Sequence, residues 1–266
     1  MLAGENSLPV DLGVTDGIAE IRFNRPDVLN AINVETARCF RDAVIAAAAD
    51  DSVRVIVLSA AGRAFIAGGD LGYFRAAGAD APAAATTLIE PIHDAMARLQ
   101  ATPKPVLASL HGAVAGAGMS IALAADLAIA ADNTVLNMAY VKVAATPDCS
   151  ASWTLPRLVG LRKAMEIALL GDNISAQEAG RLGLVNWVVP KENLADETRK
   201  VALRLAAAAP LAVQGIKRLL IQGLDASLQE QLDREESAFV KGAGTRDFAE
   251  ALAAFFERRA PKFEGR

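Results

Sequence analysis

The chain has few of the residue types that build metal centres and redox sites. Its 266 residues include two cysteines and two histidines. Cys39 and Cys149 lie far apart, neither in a CxxC pair, and with His93 and His111 they assemble no zinc constellation at standard spacing. No metal is expected, and unpaired thiols fit a cytoplasmic location. Basic residues do not exceed acidic ones, 27 against 31, for a net charge of −4. That balance lacks the electrostatic footprint of a nucleic-acid partner. The opening MLAGENSLPVDLG has neither the basic start nor the apolar run of a secretory leader. The stretch 105–125 carries no formal charge and would span a bilayer as a helix. Pro105, Ser109, His111, Ser120 and several glycines interrupt it, however, and large apolar side chains are few. It reads as buried core, and no membrane partner is expected.

Small apolar side chains are what the chain does have, within a hydrophobic share of 53%. That share rules out disorder, and the length allows a large core. Residues 10–14 and 17–23 read as a hairpin about Thr15-Asp16-Gly17, with IAEIRF alternating at period two. Asn33 suits the cap of a helix reaching Ala49. VRVIVL at 53–58, PVLASL at 105–110 and LAIAA at 127–131 read as buried parallel strands. The Ala- and Gly-rich segment 76–85 is expected to be mobile, with a helix over 86–100 and a small-residue helix near 116–125. Beyond Pro190 only helical patterns remain, near 193–208, 211–222, 227–240 and 245–259. An α/β core over 1–190 followed by a helical extension over 191–266 is the expected organisation. LAVQGIKRLLI and FAEALAAFF in the extension carry apolar stripes that either pack within the chain or meet a neighbouring subunit. Trp153 and Trp187 are expected in the core.

Two turns share a design of buried strand, small-residue loop and helix: VRVIVLSAAGRAFIAGGDL and PVLASLHGAVAGAGMSIAL. Small residues let a ligand approach the backbone, and amides at a helix start lack intrahelical acceptors. Two such turns converging on one point would aim two N–H groups at one oxygen, an arrangement that favours chemistry in which a carbonyl oxygen becomes negative. Tight helix–strand packing is the bland alternative. Gly112, Gly116 and Gly118 approximate a dinucleotide loop, but Ile121 stands where its last glycine belongs, and no GxxxxGK[ST] string exists.

IRFNRPDVLNAIN, GRAFIAGGDL, KPVLASLHGAVAGAGMSIALAAD and TPDCSASWTLPRLVG together resemble the crotonase, or enoyl-CoA hydratase/isomerase, superfamily. The likeness continues through GDNISAQEAGRLGLVNWVV to FFERRAPKF, so it covers nearly the whole chain in order. It implies an α/β spiral of β-β-α units with a C-terminal helical extension. It also implies an acyl-CoA thioester as substrate, no separate cofactor, and a homotrimer or dimer of trimers. Its two oxyanion amides fall on Gly69 and Ala117. By the same resemblance the backbone of Ala67, Gly68, Asp70 and Leu71 lies at the adenine of CoA, with Asp70 fixing the loop. Phe255 and Arg258 match positions that contact the nucleotide from an adjacent subunit, or else form a packed helix with a solvated Arg.

The two glutamates of family hydratases fall on Ser120 and Tyr140, and neither side chain replaces a carboxylate as base near neutral pH. Ordinary hydration is therefore not expected. Asp148, in VAATPDCSASW, stands where isomerase-type members have aspartate. A carboxylate among apolar residues is moved towards the working range of a general base. The competing reading is an N-cap for the helix that starts near Ser150. PDCSASW is similar to the PDCGGTW segment of ring-1,2-epoxyphenylacetyl-CoA isomerases, with Ser150-Ala151 in place of two glycines. The resemblance thus implies a double-bond or ring isomerase. His93 and Tyr140 match the histidine and tryptophan of 4-chlorobenzoyl-CoA dehalogenases, which leaves open a hydrolase with Asp148 as nucleophile. A noncatalytic acyl-CoA-binding protein is the third reading. Cys149 has no neighbouring base in sequence and reads as packing.

Overall fold

A computed structural model describes residues 8–266. Strands β1 (Val10–Thr15) and β2 (Ile18–Phe23) form the expected antiparallel hairpin. Its two-residue turn, Asp16 and Gly17, has positive φ at both positions, as a twisted hairpin demands. Helix α1 (Val34–Ala49) starts where Asn33 Oδ1 accepts from the Thr36 amide at 2.9 Å. β3 (Val55–Ala60) lies parallel to β2. It begins two residues later than expected, because Val53 and Arg54 belong to the turn that closes on Gly17.

Next come α2 (Leu71–Ala77), α3 (Ala81–Ala101), β4 (Val106–Leu110), β5 (Ala113–Ala115), α4 (Ala117–Leu123), β6 (Leu127–Ala131) and β7 (Val135–Asn137). The segment 76–85 is helical: the end of α2, a 3-10 turn at Gly78–Asp80 and the start of α3 fill it. Alanine is the best helix former, and Pro82 sits in the first turn of α3, where its missing N–H costs nothing. The uncharged stretch 105–125 divides into β4, β5 and α4, and no described helix is long and apolar enough to cross a membrane.

After β7 the chain forms α5 (Ala151–Val159), α6 (Leu161–Leu170), β8 (Ile174–Ser175), α7 (Ala176–Leu182), β9 (Trp187–Val189), α8 (Leu194–Ala207), α9 (Pro210–Gly223), α10 (Leu228–Ala243) and α11 (Arg246–Glu257). The large sheet has the order β1-β2-β3-β4-β6-β9, parallel beyond the hairpin, and a small sheet has the order β5-β7-β8. Three parallel strands of the large sheet, β3, β4 and β6, hand the chain to the small one. β4 leads to β5 and then α4, β6 leads to β7, and β3 leads to Ile66, which bridges Val114 of β5 before α2. This is the expected spiral of β-β-α units.

The large sheet is buried on both faces. Ala19, Ile21, Phe23, Ile56, Leu58, Val106 and Ala108 pack on one side with Phe40 of α1 and Ile92 and Leu99 of α3. Ile18, Val55, Val57, Leu107, Ile129 and Ala131 face Leu194, Ala202 and Ala206 of α8 on the other. The boundary expected near residue 190 is a change from sheet to helices, yet α8 shares the core of the sheet. Trp153 and Trp187 are not core residues, each being 39% exposed. Trp153 instead carries the Arg157 guanidinium 4.1 Å above its ring.

Candidate active site

The two turns are joined through their backbones. Ile66 and Val114 form a parallel bridge, and the Ala115 amide donates to Ile66 O at 2.9 Å. Gly118 makes the junction possible: a Cβ there would stand 2.2 Å from Ile66 O. Most neighbouring amides are occupied. Ala67 N–H donates to Leu29 O, Asp70 N–H to Ile32 O and Gly116 N–H to Asn137 O. Among the described residues the amides of Gly69 and Ala117 have no acceptor. Two free donors thus flank a junction that only small residues permit.

Side chains brace the first turn. Asp70 caps α2, accepting from the Gly72 and Tyr73 amides at 3.1 and 3.4 Å, and pairs with Arg25 at 3.6 Å. Asn30, buried, donates to Ala61 O and Ala64 O at 2.9 Å each and accepts from the Arg25 amide at 2.8 Å. Sequence reasoning assigned Asn30 and Arg25 no individual role. The only signal was the string NRPDVLNAIN, whose long-range bonds no local pattern reveals. Of the segment 67–71, the Ala67 N–H and Gly68 C=O are already used, the latter by Ile32 N–H, and Leu71 is exposed at the start of α2.

Asp148 sits between β7 and α5, where the backbone is unusual. Ala144, Cys149 and Ser150 all have left-handed φ, 55°, 50° and 69°, costly for non-glycine residues. The N-cap reading of Asp148 fails, because its side chain does not turn to the helix. Only its carbonyl accepts, from Ala151 N–H, while Ser150 is the cap residue. The carboxylate Oδ1 instead accepts from the Tyr140 hydroxyl. Ser120 Oγ lies 2.9 Å from that hydroxyl and 3.2 Å from Gly116 O. Ser120 and Tyr140 thus form a hydrogen-bonded chain from the second turn to Asp148. Sequence reasoning noted each residue singly and missed the link.

His93, on α3, is also brought to this place. Its Nε2 accepts from the Cys149 amide at 3.4 Å, and its ring nitrogen, an Asp148 oxygen and the Cys149 sulfur all lie within 4.8 Å of one another. Burial first, then the neighbouring Cys149 and Asp148, raises the Tyr140 pKa far above its usual value, so the phenol stays a donor. Burial, with the Asp148 charge beside it, likewise holds the Cys149 thiol protonated. With 0% exposure Cys149 packs and does not attack. Phe255 and Arg258 are not brought here within one chain: α11 packs on α10, Phe255 is 77% exposed, and Arg258 ends the helix in solvent.

Stacked β-β-α units, a junction with two free amides and a single bound carboxylate match the class of enzymes that hold acyl thioesters by their carbonyl. Within that class the chain belongs to the enoyl-CoA hydratase/isomerase family, whose sequence profile matches residues 13–266. It is 34% identical to the 1,2-epoxyphenylacetyl-CoA isomerase of Escherichia coli K12, over 95% of this chain and 97% of that one. It is 35% identical to the trans-2-decenoyl-[acyl-carrier-protein] isomerase of Streptococcus mutans, with the same two coverages. Among solved structures, an enoyl-CoA hydratase from Polaromonas sp. JS666 superposes with a TM-score of 0.91 at 33% identity, over 96% of this chain and 99% of that one. The fold is crotonase-like, and the protein is an acyl-CoA enzyme of this family.

Proposed function

We propose that the protein isomerises an enoyl-CoA thioester, moving a double bond or rearranging a ring, with Asp148 as the only acid/base. The thioester oxygen rests between the Gly69 and Ala117 amides, whose N–H groups are otherwise without acceptors. Asp148 takes a proton from the γ carbon. The C–H pair becomes the β,γ double bond, the α,β pair moves towards C1, and the thioester oxygen becomes negative. Collapse of this dienolate returns the same proton from Asp148 to the α carbon; the reverse direction uses the same steps. Each oxyanion donor contributes about 3 kcal/mol to lowering the barrier. The observation that carries the reading is that serine and tyrosine hydroxyls, bonded to each other and to Asp148, occupy the two hydratase glutamate positions. No second carboxylate is then at hand to activate water.

A second reading rests on one observation, the nearness of His93 to Asp148. Asp148 would attack a halogen-bearing ring carbon of an aryl-CoA thioester, halide would leave, and His93 would assist hydrolysis of the aryl ester. Beyond the reacting atoms, the proposal includes CoA contacts along Ala67–Leu71, and from Phe255 and Arg258 to the nucleotide of an adjacent subunit in a homotrimer or dimer of trimers. The test is mass analysis of products from enoyl-, epoxyphenylacetyl- and halobenzoyl-CoA thioesters. A product of unchanged mass with a moved double bond or altered ring is expected. Gain of one water would contradict isomerisation, halide release would favour the second reading, and binding without turnover would leave an acyl-CoA-binding protein.

A further inference from the structure

We infer that Tyr140 is a positioning residue that turns Asp148 into a one-oxygen base, and that Ser120 acts only through Tyr140 by fixing the direction of its hydroxyl. The inference rests on the proposed acid/base role of Asp148. It follows from counting hydrogens along the chain of contacts. The Tyr140 hydroxyl has one proton and bonds Asp148 Oδ1. An ionised carboxylate only accepts, so Tyr140 must be the donor in that pair. The phenol oxygen is then left as an acceptor, and Ser120 Oγ, at 2.9 Å and with 0% exposure, is placed to donate to it. Gly116 O, at 3.2 Å from the same Oγ, also accepts from the Ser120 hydroxyl, so the serine proton is shared between the phenol oxygen and this carbonyl. Both hydroxyl protons therefore have acceptors within the chain itself.

The consequence falls on Asp148. Oδ1 is tied down in both protonation states, because a neutral carboxyl still accepts there through its carbonyl oxygen. Among the described residues Oδ2 receives no hydroxyl donor and, beside the protonated Cys149 thiol, is the oxygen that takes the substrate proton, holds it and returns it. The carboxyl therefore need not rotate between the two transfers, and the proton cannot escape along the chain, which ends at a buried serine and a backbone carbonyl. The titratable groups facing Asp148 are His93 of α3, Tyr140 of the turn after β7, and adjacent Cys149. Of these, Tyr140 and Cys149 stay neutral.

The experiment is a double-mutant cycle of Tyr140→Phe and Ser120→Ala, with Asp148→Asn as reference, on whichever enoyl-CoA thioester the wild type isomerises. Removing a hydrogen bond to a charged group is expected to lower kcat by roughly 10- to 100-fold in Tyr140→Phe, with KM within about twofold. Ser120→Ala should lower kcat a few-fold in the parent and have no further effect in the Tyr140→Phe background. Additive losses, or a Tyr140→Phe enzyme with parental kcat while Asp148→Asn is inactive, would overturn the inference and leave the base assignment standing. Full activity of Asp148→Asn would instead remove the base assignment itself. Thermal melts of each variant separate these effects from unfolding, and Ser120→Ala gives an independent reading if Tyr140→Phe folds poorly.

Discussion

At the scale of single residues, the account depends on which atoms are already engaged. Among the described residues the Gly69 and Ala117 amides are without acceptors, as are those of adjacent Gly68 and Gly118, while the Ala67, Asp70 and Gly116 amides are used. Free donors at a junction need that junction held, and Gly118 holds it by having no side chain. Gly118→Ala would push a Cβ to 2.2 Å from Ile66 O, where backbone must move. A loss of about 2 kcal/mol is expected in urea unfolding, together with weaker binding of a nonreactive acyl-CoA; unchanged values for both would show that the turns do not depend on that contact. The candidate base was legible because Asp148 is the one acid in an otherwise small and apolar segment that carries family motifs. Its partners were not. Ser120 and Tyr140 lie twenty positions apart in numbering, on α4 and on the turn after β7, and only folding brings their hydroxyls together. His93 was legible only through resemblance, since a lone histidine on a helix gives no pattern of its own.

Secondary-structure elements were legible in proportion to their length and capping. α1 runs over Val34–Ala49 with Asn33 as cap, and the C-terminal helices fall within a few residues of their apolar periodicities. The strands of the small sheet escaped because two- or three-residue segments such as β5, β7 and β8 are too short to show alternation. The helical turns within 76–85 escaped because alanine and glycine were weighed together, whereas alanine dominates and favours helix. Two asparagines in one string offer a contrast of magnitudes. Asn33→Ala removes a helix cap and should cost about 1 kcal/mol. Asn30→Ala leaves the buried Ala61 and Ala64 carbonyls without their donor and puts alanine at a φ of 56°, so a loss of about 3 kcal/mol is expected. Chemical denaturation of the two variants checks the order; equal losses would mean that Asn30 does not secure the first turn.

For the whole molecule, the described chain leaves apolar surface uncovered. Leu161, Met165 and Leu169 on α6, Leu220 on α9, Phe239 on α10 and Phe255 and Phe256 on α11 are all exposed. Such faces on a protein of net charge −4 are expected to meet other copies of the chain. Light scattering should return three or six times the 27.8 kDa chain mass, and a monomer at micromolar concentration would contradict the expected assembly. The core and its extension follow from the same composition, since small apolar residues let strands, turns and helices approach as closely as Gly118 approaches Ile66. The most direct measurement is turnover by Asp148→Asn, alongside its affinity for a nonreactive acyl-CoA. The predicted result is a fall in kcat of at least about 100-fold with affinity preserved. Turnover close to that of the parent would show that another group moves the proton.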